Sequence, residues 1–186
     1  VVLLKNSSNL ELILESLKKF NITTLAAIPA TLTKLLTFES FLLNDSFSNI
    51  RLIITNSTSI PKNTVQNFND ILKNGHLSTY YGLTEASRST FMIFEKNNGR
   101  EESVGKTSPN VKIKIVNEEQ NNLKIGETWI KGNNVIKKYW NNLKADKKLL
   151  DGWLQTGDMG YFDEQGYLFL KGRNDEIINI GGEKVI

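Results

Sequence analysis

Three short polar stretches of this 186-residue sequence carry residue types that could hold an anion, a metal or a sugar. The first is "STYYGLTEASRST", residues 78–90, where a β-prone run meets Gly82, and Thr84 and Glu85 follow. On local grounds Thr84 caps a helix, Glu85 sits in its first turn, and Gly82 eases the chain reversal. The same geometry has a second use at the carboxyl end of a parallel strand, where ligands of α/β sheets bind. A glycine there lets backbone approach a phosphate, and a hydroxyl and amides hydrogen-bond it. A carboxylate such as Glu85 can then hold Mg2+ shared with that phosphate.

The second stretch is "WLQTGDMGYFDEQG". Thr156-Gly157-Asp158 reads as a turn on residue type, yet the Asp158 carboxylate could also accept from both hydroxyls of a ribose cis-diol. In the third, "LKGRNDEIINIGGEKVI", the break Gly172-Arg173-Asn174-Asp175 separates two apolar strands. It is either a solvated surface loop or a pivot that presents Arg173 to a nucleotide. Other chemistries are excluded by type. There is no cysteine, hence no disulfide, thiolate ligand or thiol nucleophile. The single histidine, His76, cannot build a multi-histidine metal site, and its place in "KNGHLS" marks a solvated loop residue.

The elements that must position these stretches change character along the chain. Three of the 13 glycines lie in the first hundred residues and the rest beyond. Before residue 100, strand and helix patterns alternate. "NLELILESLKKF" spaces apolar residues helically behind Asn9 as N-cap, and "ITTLAAI" reads as a strand. "PATLTKLLTF" is a helix with Pro29 in its first turn, "IRLIIT" a strand, "PKNTVQNFNDILKNG" a helix, and "HLSTYY" a strand. This alternation predicts parallel βαβ units in a doubly wound α/β sheet. Beyond residue 100 the pattern predicts a small β-rich subdomain. Its strands are "VKIKIV", "GETWIKG", "VIKKYW" and the two arms of "GYFDEQGYLFLKG", with a short helix at "LKADKKLL". The expected division is a partial α/β subdomain over 1–100, a β-rich subdomain over 101–172, and a hinge with the first strands of a C-terminal domain over 173–186.

With 39% hydrophobic and 23% charged residues, the composition is that of an ordinary globular chain. The net charge of +3 arises from 23 bases interspersed with 20 acids. The most basic aromatic run, Lys137-Lys138-Tyr139-Trp140, is too short for a nucleic-acid footprint. No apolar run can cross a bilayer and no signal-peptide pattern opens the chain, so no transmembrane segment and a cytoplasmic location are expected.

Taken in order, "YGLTE", "GETWIKGNNVIKKYW", "GWLQTGD" and "GYLFLKGRND…GGEKV" resemble the adenylate-forming superfamily of AMP-binding enzymes, over almost the whole chain. That group includes acyl-CoA synthetases, peptide-synthetase adenylation domains and luciferases. "ITTLAAIPATLTKLL" resembles its segment leading into the acyl pocket, and "IRLIITNSTSIP" its strand and adenine-side loop. The resemblance implies that a carboxylate attacks the α-phosphate of ATP to give an acyl-adenylate and pyrophosphate, after which a thiol takes the acyl group. It places Tyr81 against adenine and, with Gly82, in the nucleotide site; Thr84 at the α-phosphate; and Glu85 on Mg2+ as metal ligand. Asp158 falls on the ribose, Arg173 opposite it, Asp175 at the domain pivot, and Gly181 and Gly182 along the pantetheine path. The residues 56–59 would lie near adenine, although "NSTS" lacks the glycines usual there; Lys184 stands where some members have arginine and receives no role.

"YGLTE" and "DEIINIGGEKV" point to acyl-CoA or aryl-CoA ligases, because peptide-synthetase domains usually carry proline where Leu83 stands. The implied cofactors are ATP/AMP, Mg2+ and coenzyme A (or phosphopantetheine), the substrate is a carboxylic acid, and the setting is fatty acid metabolism. The alternatives are an adenylation enzyme that loads a carrier protein and a non-catalytic nucleotide-binding module. The family's phosphate loop falls before residue 1 and its catalytic lysine after residue 186, so this stretch is expected to be an internal fragment, inactive alone.

Overall fold

Asn9 opens the first helix as its position predicts. In the computed structural model, which describes residues 1–4, 9–56, 59–96, 98–117, 124–174, 178–180 and 183–185, its side chain accepts from the Leu12 amide at 2.9 Å. The chain forms two units, Val1–Thr79 with Met92–Glu102, and Tyr80–Phe91 with Ser103–Ile186.

The first unit is α/β. Helix α1 (Leu10–Lys19) buries Ile13, Leu14 and Leu17 on one stripe. Strand β1 (Thr24–Ala26), helices α2 (Pro29–Leu35) and α3 (Ser40–Ser46), strand β2 (Leu52–Thr55), helix α4 (Lys62–Ile71) and strand β3 (His76–Thr79) follow. Strands β1, β2 and β3 lie side by side and parallel, joined by helical crossovers as parallel neighbours require. Pro29 occupies the first turn of α2, and Pro61 immediately precedes α4. Leu32, Leu35, Ile53, Val65, Phe68 and Leu77 are wholly buried, with Phe47 edge-on to Phe68 at 5.5 Å. Strand β4 (Thr90–Phe94) pairs antiparallel to β3 through residues 92–94. The sheet is therefore mixed, for a physical reason: the residues 80–89 are too few for a crossover helix.

The second unit is β-rich. Thr90 and Phe91 of β4 pair with β5 (Lys106–Thr107). Strands β6 (Val111–Val116) and β7 (Gly126–Gly132) lead to the short helix α5 (Leu143–Asp146). Strands β8 (Leu149–Leu150), β9 (Trp153–Phe162) and β10 (Leu168–Arg173) then complete an antiparallel sheet of order β10-β9-β7-β6, with β8 on β9. Its core is Tyr81, Ala86, Ile130, Leu154 and Leu168. The β9–β10 turn is fixed by Asp163, whose carboxylate accepts from the Gln165 and Tyr167 amides at 3.0 and 2.8 Å. Strands β11 (Ile178–Ile180) and β12 (Glu183–Val185) form a separate antiparallel pair.

Three local expectations are corrected. "VIKKYW" is no strand; Val135 makes only an isolated bridge to Ala86. The backbone amides of this stretch go elsewhere, Ile136 to the Glu85 carbonyl at 2.9 Å and Tyr139 to the Asp146 carboxylate at 2.7 Å. The helix in "LKADKKLL" ends at Asp146 because Leu149 and Leu150 enter the sheet. Thr156-Gly157-Asp158 is not a turn between elements but an irregularity inside β9.

Candidate functional site

No helix follows Gly82, so Thr84 is not an N-cap and Glu85 is not in a first turn. The stretch folds back on itself. Leu83 and Ala86 exchange backbone hydrogen bonds at 3.0 and 3.1 Å, leaving Thr84 and Glu85 as the two residues of a tight turn. The Ser89 and Thr90 amides then both donate to the Tyr81 carbonyl, at 2.8 and 3.1 Å. Gly82 is required by this fold-back itself. A Cβ there would stand 2.5 Å from the Arg88 amide nitrogen and 2.8 Å from the Ala86 carbonyl oxygen, both backbone. Thr84 and Gly82 are exposed, while Glu85 is half-buried.

The turn is braced by the segment after β7. Asn134 donates to the Ser87 carbonyl and the Ser89 hydroxyl, each at 3.0 Å. The Tyr139 hydroxyl donates to Glu85 Oε1 at 3.0 Å. Burial, together with the Glu85 carboxylate it faces, raises the Tyr139 pKa, so the phenol remains a donor through neutral pH.

Asp158 is positioned by a bulge. On β7, Glu127 pairs with Met159 and Trp129 with Gln155, so three residues of β9, Thr156, Gly157 and Asp158, face Thr128 alone. Gly157 takes a left-handed φ of +77°, which glycine adopts without penalty. The buried Thr156 hydroxyl donates to the Thr128 carbonyl at 2.6 Å and accepts from the Asp158 amide at 3.0 Å. The Gly157 amide donates to Glu127 Oε1 at 2.8 Å.

The Asp158 carboxylate meets the Tyr81 hydroxyl on Oδ2 at 2.5 Å and Arg173 on Oδ1 at 3.2 Å. Arg173 reaches it because β10 places it directly opposite Asp158, at the end of the strand rather than in a loop. Burial pushes the Tyr81 pKa far up, reinforced by the negative charge and hydrogen bond of Asp158. Tyr81 is therefore a fixed neutral donor, with its ring in the core beside Ala86 and Leu154.

Of the residues singled out by sequence, Tyr81, Asp158 and Arg173 form one cluster. Gly82, Thr84 and Glu85 form the neighbouring turn along the chain, where Glu85 accepts from the Tyr139 hydroxyl. Asn56 and Ser59 belong to the first unit, while Ser57, Thr58, Asp175, Gly181 and Gly182 lie outside the described residues. Sequence reasoning overlooked Tyr139 and Glu127, whose partners lie 54 and 30 residues away. Among the described residues no three His, Cys, Asp or Glu side chains cluster as a metal cage, and no helix is long and apolar enough to cross a membrane.

Comparison with known proteins agrees with the family resemblance. The family model for AMP-binding enzymes matches residues 1–140. Indoleacetate–CoA ligase of Aromatoleum aromaticum is 32% identical over 177 residues, which cover 92% of this chain and 34% of that protein. Long-chain-fatty-acid–CoA ligase of Bacillus subtilis is 36% identical over 143 residues, covering 74% of this chain and 25% of that protein. Among solved structures, o-succinylbenzoate coenzyme A synthetase of Bacillus subtilis, in complex with ATP and magnesium ion, superposes with a TM-score of 0.82 at 29% identity. That match covers 95% of this chain and 37% of the other. The chain spans about a third of the length of such relatives. By the family match over most of its residues, this chain belongs to the AMP-binding enzyme family.

Proposed function

We propose that this chain is part of an AMP-forming acid–thiol ligase. A substrate carboxylate oxygen attacks the α-phosphorus of ATP and pyrophosphate leaves; a thiolate then attacks the acyl carbon and AMP leaves. The observation that carries the reading is the Tyr81–Asp158–Arg173 cluster in a chain of this family. Asp158, held by Tyr81 and a braced backbone, is a preoriented acceptor for the two ribose hydroxyls, since a carboxylate accepts about four hydrogen bonds. Tyr81 lies beside the base and Gly82 in the nucleotide site. Arg173 adds positive charge on the nucleotide side, and Thr84, exposed at the turn tip, offers its hydroxyl to the α-phosphate.

The donor set suits Mg2+. Glu85 is one half-buried carboxylate whose Oε1 is oriented by Tyr139, and no all-protein cage stands among the described residues. Mg2+ is usually held by one or two carboxylates together with substrate phosphates, not by a dedicated cage. Bound there, it would neutralise charge developing on the phosphates. Asp175 would serve as the domain pivot, and Gly181 and Gly182 would line the pantetheine path. The names of the similar ligases favour coenzyme A over a carrier protein as thiol, and a carboxylic acid as the other substrate.

The 186-residue polypeptide by itself is expected to show no carboxylate-dependent ATP–pyrophosphate exchange, because it spans about a third of its relatives. In the full-length protein, Glu85→Gln should lower the exchange rate about a hundredfold or more with the fold intact. An unchanged rate would reduce Glu85 to a turn residue and remove the metal from this site.

A further inference from the structure

We propose that Glu127 is a positioning residue for Asp158, acting through the backbone of the β9 bulge. The proposal rests on the reading of Asp158 as the ribose acceptor. A bulge removes residues from the ladder, so its amides need other acceptors. Thr156 supplies one to the Asp158 amide, and Glu127 supplies the other to the Gly157 amide at 2.8 Å. The second Glu127 oxygen accepts from Trp129 Nε1 at 2.9 Å. Trp129 is itself covered by Lys114, whose ammonium lies 4.5 Å from its ring centre and 4.5 Å from that of Trp153. The carboxylate is therefore anchored by an indole at one end and grips the bulge at the other.

Gly157 is the residue that most needs such a grip. Its φ of +77° is one of many conformations open to glycine, and the Arg173 guanidinium lies 3.0 Å from where a Cβ would stand. Without Glu127 the Gly157 amide loses its acceptor, and the bulge can relax by rotating about Gly157. Asp158 is the next residue, so this rotation displaces its carboxylate from Tyr81 and from any bound ribose. Glu127 touches no substrate in this account; its effect passes through Asp158.

The test uses the full-length protein, with calorimetric affinities for ATP and for 2′,3′-dideoxy-ATP, which lacks the hydroxyls that Asp158 would bind. Glu127→Ala should weaken ATP about tenfold and the dideoxy nucleotide less than about twofold. Glu127→Gln, which keeps an acceptor for Gly157, should recover most of the loss. Amide exchange in a peptide covering residues 155–160 should accelerate in Glu127→Ala and return toward wild type in Glu127→Gln. Should Glu127→Ala fail to fold, Trp129→Phe removes only the indole donor and should shift both readouts the same way by a smaller factor. Unchanged exchange overturns the role of Glu127, as does equal weakening of both nucleotides in Glu127→Ala while Asp158→Ala still discriminates between them. Asp158→Ala separates the two levels: if it too weakens both nucleotides equally, the ribose reading fails. Faster exchange in Glu127→Ala would then still show that Glu127 holds the bulge.

Discussion

The Leu83–Ala86 turn and the Thr156–Asp158 bulge each present an acid, but they are held in different ways. The turn is closed by its own backbone, with Leu83 and Ala86 bonding to each other and Gly82 pressed against the returning backbone of Ala86, Ser87 and Arg88. The bulge is held by side chains, with Thr156 and Glu127 standing in for the lost ladder partners. A backbone-closed turn tolerates almost any residue at its tip but none with a Cβ at its pinch point. A side-chain-held bulge fails wherever one of its few acceptors is removed.

This contrast can be broken by mutation in the full-length protein. The largest stability loss is expected for Gly82→Ala, about 1–3 kcal/mol, because the new methyl meets fixed backbone at 2.5 Å. Denaturant unfolding should show it. Gly157→Ala should cost less, about 1–2 kcal/mol from the left-handed φ, because its near neighbour is the movable end of Arg173. If Gly157→Ala proved the worse of the two, the contrast would be wrong.

Thr156→Val should cost about 1–2 kcal/mol, since the Asp158 amide and the buried Thr128 carbonyl both lose a partner. Thr156→Ser should restore it, and a loss shared by both variants would point to packing instead. The smallest effect is expected for Tyr139→Phe. That bond is only partly buried, so its loss should change pyrophosphate exchange only a few-fold, about 1 kcal/mol or less, and leave unfolding unchanged. A loss as large as that of Glu85→Gln would make Tyr139 a principal support of the site.

Ionisation distinguishes the two regions as well. The Tyr81 pKa is raised on folding, so its contribution to stability is complete below the unfolded phenol value of about 10 and is lost as pH rises beyond it. In a phenolate absorbance titration, Tyr81 should stay silent until the protein unfolds at high pH and appear together with that unfolding. Tyr81→Phe should remove that coupled step.

These two regions also mark what was legible in the sequence. Asn9, Pro29, Pro61 and the β-branched run in β2 act within a few residues of themselves, and the elements they predict are present. The helix predicted after Gly82 is absent because Thr84 and Glu85 suit a tight turn as well as a helix start. Strand β4 pairs back onto β3 and decides between them. Asp158 stood out by residue type, but the bulge that presents it depends on Glu127, 30 residues before its partner, in a stretch that reads only as a strand. Tyr139 was hidden for the same reason, since nothing local links it to Glu85. The sequence reads Gly172-Arg173 as the start of a loop or of a pivot, whereas Arg173 ends strand β10 and Gly172 sits at a strand irregularity opposite β9.

The central claim is that Asp158 receives the ribose while the Glu85 turn faces the phosphates. A crystal structure of the full-length protein with ATP and Mg2+ tests it most directly. The account predicts both ribose hydroxyls within hydrogen-bond distance of the Asp158 carboxylate, Tyr81 still donating to it, and the metal on Glu85. A nucleotide bound with its ribose away from Asp158, or with the metal held by other carboxylates, would contradict it.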